Sequence, residues 1–300
     1  MNKRNSYIYA LGFFDGVHLG HQALLSACVR LARERGCTPG AVTFAVHPDA
    51  LVLSSAPGLI NTIEDRKTLL GEFGMEAIVA LPFDDAMRCL PWQDFLHLLT
   101  QTYGAAGFVC GEDFRFGYRG EGTAQALAAY CRSRDLPCTI VPEQTVDGTR
   151  ISSTVIRNML EKGDVTQANR FLGHSHVLTG PVVPGHQLGC RLGIPTANLA
   201  LPKELAVPKF GVYACRCRVG ENSYPAVTNI GVRPTVSGEG ITVEPWILDY
   251  TGDLYGREIT LEFHAFLRPE QKFPDLEALK AEIHRNAQQT RTLLSQPDGF

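Results

Sequence analysis

Two histidines three residues apart, His18 and His21, open a run of helical spacing in L-G-F-F-D-G-V-H-L-G-H-Q-A-L-L. At that interval the two imidazoles share a face at the start of a helix, close to its positive end. Open backbone N–H groups plus two imidazoles suit a nucleoside triphosphate. Gly12, Gly16 and Gly20 let backbone approach a ligand closely. The same spacing would serve two metal ligands, although no third ligand is near. A glycine-tight turn with incidental histidines is the plain alternative. No G-x-x-x-x-G-K-[ST] loop and no G-x-G-x-x-G occurs, so phosphate handling must rest on other groups.

Further along, Asp113, Arg115 and Arg119 lie in the glycine-rich stretch G-E-D-F-R-F-G-Y-R-G-E-G. They suit a ligand loop, and ordinary loop surface also explains them. The segment R-I-S-S-T-V-I-R-N-M-L carries Ser152, Ser153, Thr154 and Arg157. Hydroxyls before an apolar helix cap it, and Arg157, one turn in, can fork onto a phosphate or form a surface ion pair. In P-G-H-Q-L-G-C-R-L-G-I-P-T-A-N-L, Thr196 and Asn198 stand two apart in an extended stretch and point the same way. Their oxygens are hard ligands suited to Mg²⁺ beside phosphate; a turn with capping residues is the other reading. Glu244 interrupts an apolar strand, where a carboxylate is costly without a task. It is a candidate general base, against the alternative of an edge-strand surface glutamate. Asp249 follows in the same segment.

These residues need elements to position them, and the chain offers two grammars. Up to about residue 172, strand-like runs such as Y-I-Y-A-L-G-F-F, G-A-V-T-F-A-V-H, A-I-V-A-L-P-F, G-F-V-C-G and C-T-I-V-P-E-Q alternate with helical patterns. Gly36 ends the first helix, and Thr62 with Asp65 reads as a start signal for the second. This order predicts an α/β domain with a parallel sheet and helices on both faces, binding ligands at the C-terminal strand ends. From 173 to 300 helices nearly vanish. H-V-L-T-G-P-V-V-P-G, G-V-Y-A-C-R-C-R-V, S-Y-P-A-V-T-N-I-G, T-V-E-P-W-I-L-D-Y and I-T-L-E-F-H-A-F-L-R predict a small antiparallel β-barrel. One amphipathic helix, roughly Asp275 to Leu294, closes it. The hinge is expected around Gly173.

Composition bounds the class. At 300 residues, two domains are the first expectation. A hydrophobic fraction of 44% with 20% charged residues is too apolar for disorder. The net charge of −3, with neither half basic, disfavours a general nucleic-acid binder, while local anion sites need few charges. No uncharged apolar run approaches the roughly 20 residues a membrane helix needs. The stretch Tyr7 to Phe14, ended by Asp15, reads as a first strand rather than a signal peptide. The nine cysteines form no C-x-x-C pair, which argues against a disulfide framework or zinc site and fits a reduced cytoplasm. Cys215 and Cys217 should share one strand face as packed thiols.

Taken in order, F-D-G-V-H-L-G-H (Phe14 to His21), G-E-D-F-R-F-G and I-S-S-T-x-I-R resemble the FMN adenylyltransferase module of bacterial bifunctional riboflavin kinase/FAD synthetases. That module is a Rossmann-like member of the H-x-G-H nucleotidylyltransferase superfamily. The resemblance implies that His18 and His21 contact ATP phosphates and that Asp113 contacts the nucleotide. It implies binding roles for Gly12, Phe14, Asp15, Gly16 and Arg115, and assigns Ser153, Thr154 and Arg157 to a phosphate motif. The FMN phosphate would attack the α-phosphorus of ATP and expel pyrophosphate, usually with Mg²⁺. One departure is T-F-A-V-H-P, where Ala45 and Val46 replace an acidic residue and a proline, while His47 and Pro48 remain.

The set G-x-x-x-G-x-x-L-G-x-P-T-A-N, G-V-Y, N-I-G-x-R-P-T, V-E-x-x-I-L-D and D-L-Y-G resembles the riboflavin kinase module of the same enzymes. By that resemblance Thr196 and Asn198 hold the Mg²⁺ of the nucleotide. Glu244 deprotonates the ribityl 5′-hydroxyl for attack on the γ-phosphorus, the Gly185, Gly189 and Gly193 loop covers phosphates, and Asn229 and Arg233 complete the binding site. Cys190 precedes Arg191 where the family has the arginine directly after the glycine, and Trp246 stands where His is usual. The expected partners are ATP, riboflavin and FMN, with FAD as product. No nucleic acid or membrane is implied. A kinase with a weakened adenylyltransferase half, and a non-catalytic flavin or nucleotide sensor, are the alternative readings.

Overall fold

In the computed structural model, which describes residues 6–47, 57–184, 193–235 and 238–295, the first strand is buried on both faces. Along β1 (Tyr7–Leu11), Ile8 and Ala10 pack into one core and Tyr9 and Leu11 into another. Only a central strand with helices on both sides buries every residue in this way. The sheet around it is parallel throughout, in the order β3 (Ala77–Leu81), β2 (Thr38–Phe44), β1, β4 (Ala105–Gly111), β7 (Cys138–Val141).

One core collects Leu25, Cys28 and Ala32 of α1 (Leu19–Arg35) with Leu69 and Leu70 of α2 (Ile63–Glu72). The other collects Phe95, Leu96 and Leu99 of α4 (Trp92–Gln101) with Leu127 and Cys131 of α5 (Ala124–Arg132). A short α3 (Asp85–Arg88) precedes α4. Gly36, at φ 62°, ends α1 as the sequence signals. The strand order reverses between β1 and β4, so the loops after these two strands lie side by side at a topological switch point. Those loops carry the Phe14–His21 segment and the Gly111–Gly122 segment. The second is not a plain loop: β5 (Arg115–Phe116) pairs with β6 (Gly122–Thr123) around a tight turn. A second small hairpin, β8 (Thr145–Val146) with β9 (Thr149–Arg150), precedes α6 (Ser153–Lys162).

The chain falls into two units, Met1–Leu59 with Ile63–Ser153, and Ile60–Thr62 with Thr154–Phe300. The second is antiparallel. Its strands β10 (His176–Val183), β11 (Asn198–Leu199), β14 (Gly238–Ile247), β13 (Asn222–Thr235), β12 (Gly211–Val219) and β15 (Glu258–Arg268) pair in that order, and β15 returns to β10, closing a barrel. Closure removes the exposed edges that short strands would otherwise leave. Cys215 and Cys217, two apart on β12, are both fully buried.

Two helices dock on the barrel. On α7 (Val165–Leu172), the buried Asn169 donates to the Phe263 carbonyl at 2.7 Å and accepts the His176 N–H at 2.8 Å. The last helix, α8 (Leu276–Leu294), is capped by Asp275, which accepts the Ala278 N–H. Its Ala287 packs with Val212, Val227 and Leu248. Among the described residues, no helix is long and apolar enough to cross a membrane.

Candidate active sites

The first centre is the turn between β1 and α1. Phe14 (φ 58°) and Val17 (φ 39°) both occupy the left-handed region, a costly conformation for a β-branched valine. Burial sustains it: Phe14 and Val17 are fully enclosed, and Asp15 is 2% exposed. The Val17 carbonyl accepts from Gln22 and its N–H donates to Phe14, so the turn is fixed from both sides. A β-carbon at Gly12 would stand 3.0 Å from the Phe14 ring, and Gly16 has φ 83°. Both glycines are therefore required by the shape of the turn.

His18 is the N-cap of α1. Its Nδ1 accepts the backbone N–H of His21 at 3.2 Å, so in the neutral ring the proton sits on Nε2. The two imidazoles stack in parallel, 3.6 Å apart, and the edge of Phe14 packs against His21. Burial, then His18, then Arg66 push the His21 pKa well below the usual histidine value. At neutral pH His21 is therefore an N–H donor and not a cation. The positive charge comes instead from Arg66 on α2, a residue whose role sequence reading missed. It is fully buried and reaches the Phe44 carbonyl at 3.0 Å. Its sequence signal was present, since Arg66 shares helical spacing with Leu69 and Leu70 and so lies on the apolar face.

Next to this turn a cavity of ≈ 580 Å³ opens at the C-terminal edge of the sheet, with Gly12, Phe13 and Phe44 on one side and Asp113, Arg115 and Arg119 on the other. Six phenylalanines line it beside aliphatic side chains, with three arginines (Arg88, Arg115, Arg119) at hand. That combination suits a flat ring bearing phosphate. Asp113 is paired with Arg150, which also contacts Glu143 at 2.6 Å. Ser153 Oγ donates to the Asp15 carbonyl at 2.9 Å, fastening the start of α6 to the strained turn. Thr154 and Arg157, in the second unit, hydrogen-bond each other at 3.3 Å. Where the acidic residue is replaced, the Ala45 N–H donates to the Leu81 carbonyl, and His47 packs its ring on Phe13 at 4.7 Å. Pro48 lies outside the described residues.

The second centre lies in the barrel. Glu244 on β14 is 8% exposed and pairs in register with Asn229 on β13. Both line a cavity of ≈ 330 Å³ together with Thr196, Trp246 and Arg268. Val212, Val227 and Ile283 supply its apolar walls, and Trp246 meets His284 edge to face at 5.7 Å. Arg268 donates to Asn286 at 3.0 Å and stands 3.5 Å from Glu282, so α8 holds it in place. A β-carbon on Gly231 would meet the Glu270 carboxylate, the movable end of an exposed side chain.

A neighbouring cavity of ≈ 340 Å³ is bounded by Val182, Pro195, Tyr250 and Tyr255. Thr196 lines both cavities, whereas Asn198, paired with Val183, lines neither. Asp249 is not part of this centre: it is exposed and bound by Arg291 of α8, which holds its carboxyl below the usual range. Gly193, at φ 72°, is exposed. Gly185, Gly189 and the Cys190–Arg191 step lie outside the described residues, as does the side chain of Arg233.

Known proteins resemble both halves. The FAD synthetase family model matches residues 1–155 and the riboflavin kinase model residues 172–294. A bifunctional riboflavin kinase/FMN adenylyltransferase of Pseudomonas fluorescens is 38% identical over 291 residues, covering 95% of this chain and 92% of that protein. Its Escherichia coli (strain K12) counterpart is 34% identical, covering 93% and 90%. A crystal structure described as a macrolide-efflux protein from Streptococcus pneumoniae superposes with a TM-score of 0.87 at 29% identity, covering 97% of this chain and 95% of that one.

Proposed function

The chain belongs to the family of bifunctional riboflavin kinases/FMN adenylyltransferases, and we propose that each unit holds one of its two reaction centres. The protein phosphorylates riboflavin to FMN and adenylylates FMN to FAD, with ATP as co-substrate of both reactions. The observation that carries the division is the separate clustering of the residues. His18 and His21 sit at the switch point of a parallel sheet, and Glu244 sits in a barrel cavity.

In the first unit the phosphates of ATP lie at the start of α1. Nε2–H of His18 and the neutral His21 donate hydrogen bonds to them, and the aromatic cavity takes the flavin ring of FMN. The FMN phosphate attacks the α-phosphorus in line, and pyrophosphate leaves. This chemistry needs positioning and charge stabilisation, with no covalent nucleophile. Asp113, Arg115 and Ser153 are assigned to this reaction through their motifs. Arg150, by pairing with Asp113, sets how that carboxylate is presented.

In the second unit Glu244 accepts the proton of the ribityl 5′-hydroxyl as that oxygen attacks the γ-phosphorus, and ADP leaves. The ring of riboflavin occupies the Trp246 cavity and the nucleotide the neighbouring one. Thr196, in the wall common to both, stands where the transferred phosphoryl passes. Its hydroxyl is a hard oxygen donor that fits Mg²⁺, and Thr196 would hold the ion brought by ATP; Asn198, which lines neither cavity, is assigned to the ion through its motif alone. When bound, Mg²⁺ offsets negative charge on the phosphates. A cytoplasmic setting, where ATP is available, accords with this reading.

Two assays on the full chain test the assignment: riboflavin with ATP and Mg²⁺, and FMN with ATP and Mg²⁺, separating the flavins. Glu244→Gln should lose FMN production and keep FAD production from supplied FMN; His21→Ala should do the reverse. A folded variant that loses both activities overturns the two-centre assignment.

A further inference from the structure

Arg66 heads the fully buried side chains by volume, although the exposed Glu64 and the half-buried Lys67 share its helix. Its Nη1 donates to the Phe44 carbonyl at 3.0 Å and to Thr43 Oγ1 at 3.3 Å. Thr43 Oγ1 donates onward to the Phe13 carbonyl at 2.7 Å. The guanidinium lies over the Phe13 ring, 4.2 Å from its centroid. Arg66 thus stitches the end of β2 to the turn that carries His18. Among the described residues its Nε and Nη2 have no hydrogen-bond partner, and the negative charge that acts on it is that of Asp15, in the same turn, without a hydrogen bond between them. A cation buried without a direct counter-ion is expensive for the fold. Such a group is a candidate for function.

We propose that Arg66 is a positioning residue for adenylyl transfer: it fastens the Phe13–His21 turn to β2 and is the standing positive charge of that turn. The inference rests on the first unit being the adenylyltransferase. A permanent charge in a low-dielectric site acts on incoming phosphates with little screening. It also acts on its neighbours. The charged or titratable groups around His21 are His18, stacked on it; Asp15, in the same turn; and Arg66, from α2. From β2 only the neutral Thr43 joins this group, and His47 stands off behind Phe13. Arg66 disfavours a proton on His21, so removing its charge makes His21 easier to protonate. The acidic limb of the rate profile then moves to higher pH.

The test uses full-length Arg66→Met and Arg66→Lys, with kcat and KM for FMN-to-FAD conversion measured between pH 5 and 9. Riboflavin phosphorylation in the same samples is the internal control. For Arg66→Met, kcat should fall about tenfold or more, as for a small misplacement of reacting groups. The acidic limb should rise by about one pH unit, and riboflavin phosphorylation should not change. For Arg66→Lys, the limb should stay in place while kcat falls, because lysine keeps the charge but not the planar fork. A residue that only supported the fold would lower activity and thermal stability without moving the limb. An unmoved limb in Arg66→Met overturns the proposal, as does unchanged turnover. If Arg66→Met does not fold, Arg66→Lys decides: an unchanged kcat or a displaced limb overturns it. A wild-type chain that forms FMN but no FAD would overturn the adenylyltransferase reading itself, which is a different result from an unmoved limb.

Discussion

Ser153 Oγ donates to the carbonyl of Asp15 across 138 residues of sequence, at 2.9 Å. The bond joins the serine-rich start of α6 to the strained turn of the H-x-G-H segment. Ser153→Ala removes it, at a cost of about 1 kcal/mol. FAD formation should fall through kcat while riboflavin phosphorylation is unaffected. Equal loss in both assays would show a general folding defect instead.

His18 caps α1 through Nδ1, and the proposed adenylyl transfer uses its Nε2. Asparagine can cap but offers no imidazole. His18→Asn should therefore hold thermal stability near that of the wild type, whereas His18→Ala loses about 1 kcal/mol. Both should depress FAD formation. Thermal melts alongside turnover separate the two duties, and a His18→Asn variant with wild-type turnover would remove His18 from the reaction.

His176, at the start of β10, is fully buried, and neither of its ring nitrogens has a hydrogen-bond partner among the described residues. Burial, with a smaller contribution from His174, pushes its pKa down to about 3. The folded protein thus holds this ring neutral, while the unfolded chain takes up a proton below about pH 6.5. The stabilisation is complete above pH 6.5 and is lost as pH falls towards 3. Urea melts at pH 7 and pH 5 should show the wild type losing about 2 kcal/mol more than His176→Phe. Equal losses would contradict a neutral buried His176.

Trp246 shares its strand face with Glu244 and lines the same cavity. Stacking of a flavin ring on an indole contributes about 1 kcal/mol. Trp246→Leu should raise the KM for riboflavin about fivefold and leave FMN adenylylation alone. An unchanged KM would place the ring elsewhere in the barrel.

Much of the fold was legible because its signals are local. Strand and helix alternation gave the parallel sheet, and turn-separated short strands gave the barrel. Gly36 and Asp275 mark helix ends by backbone geometry and capping that depend only on near neighbours. The motif residues on the β1–α1 turn were legible for the same reason. Arg268 was not: the pairing of β12 with β15 shifts register twice before reaching it. Each bulge breaks the two-residue alternation, so counting from Phe263 cannot tell which face Arg268 takes. The Asp249–Arg291 pair was not legible either, because its partners lie 42 residues apart.

The sequence by itself determined the two architectures and the order of the motifs, because these follow from local periodicity and residue chemistry. Only the tertiary structure decided the charge state of the first centre. Whether His21 is a cation depends on how much protein surrounds it and on an arginine 45 residues away in sequence. Burial and through-space electrostatics are properties of packing, and no local pattern encodes them.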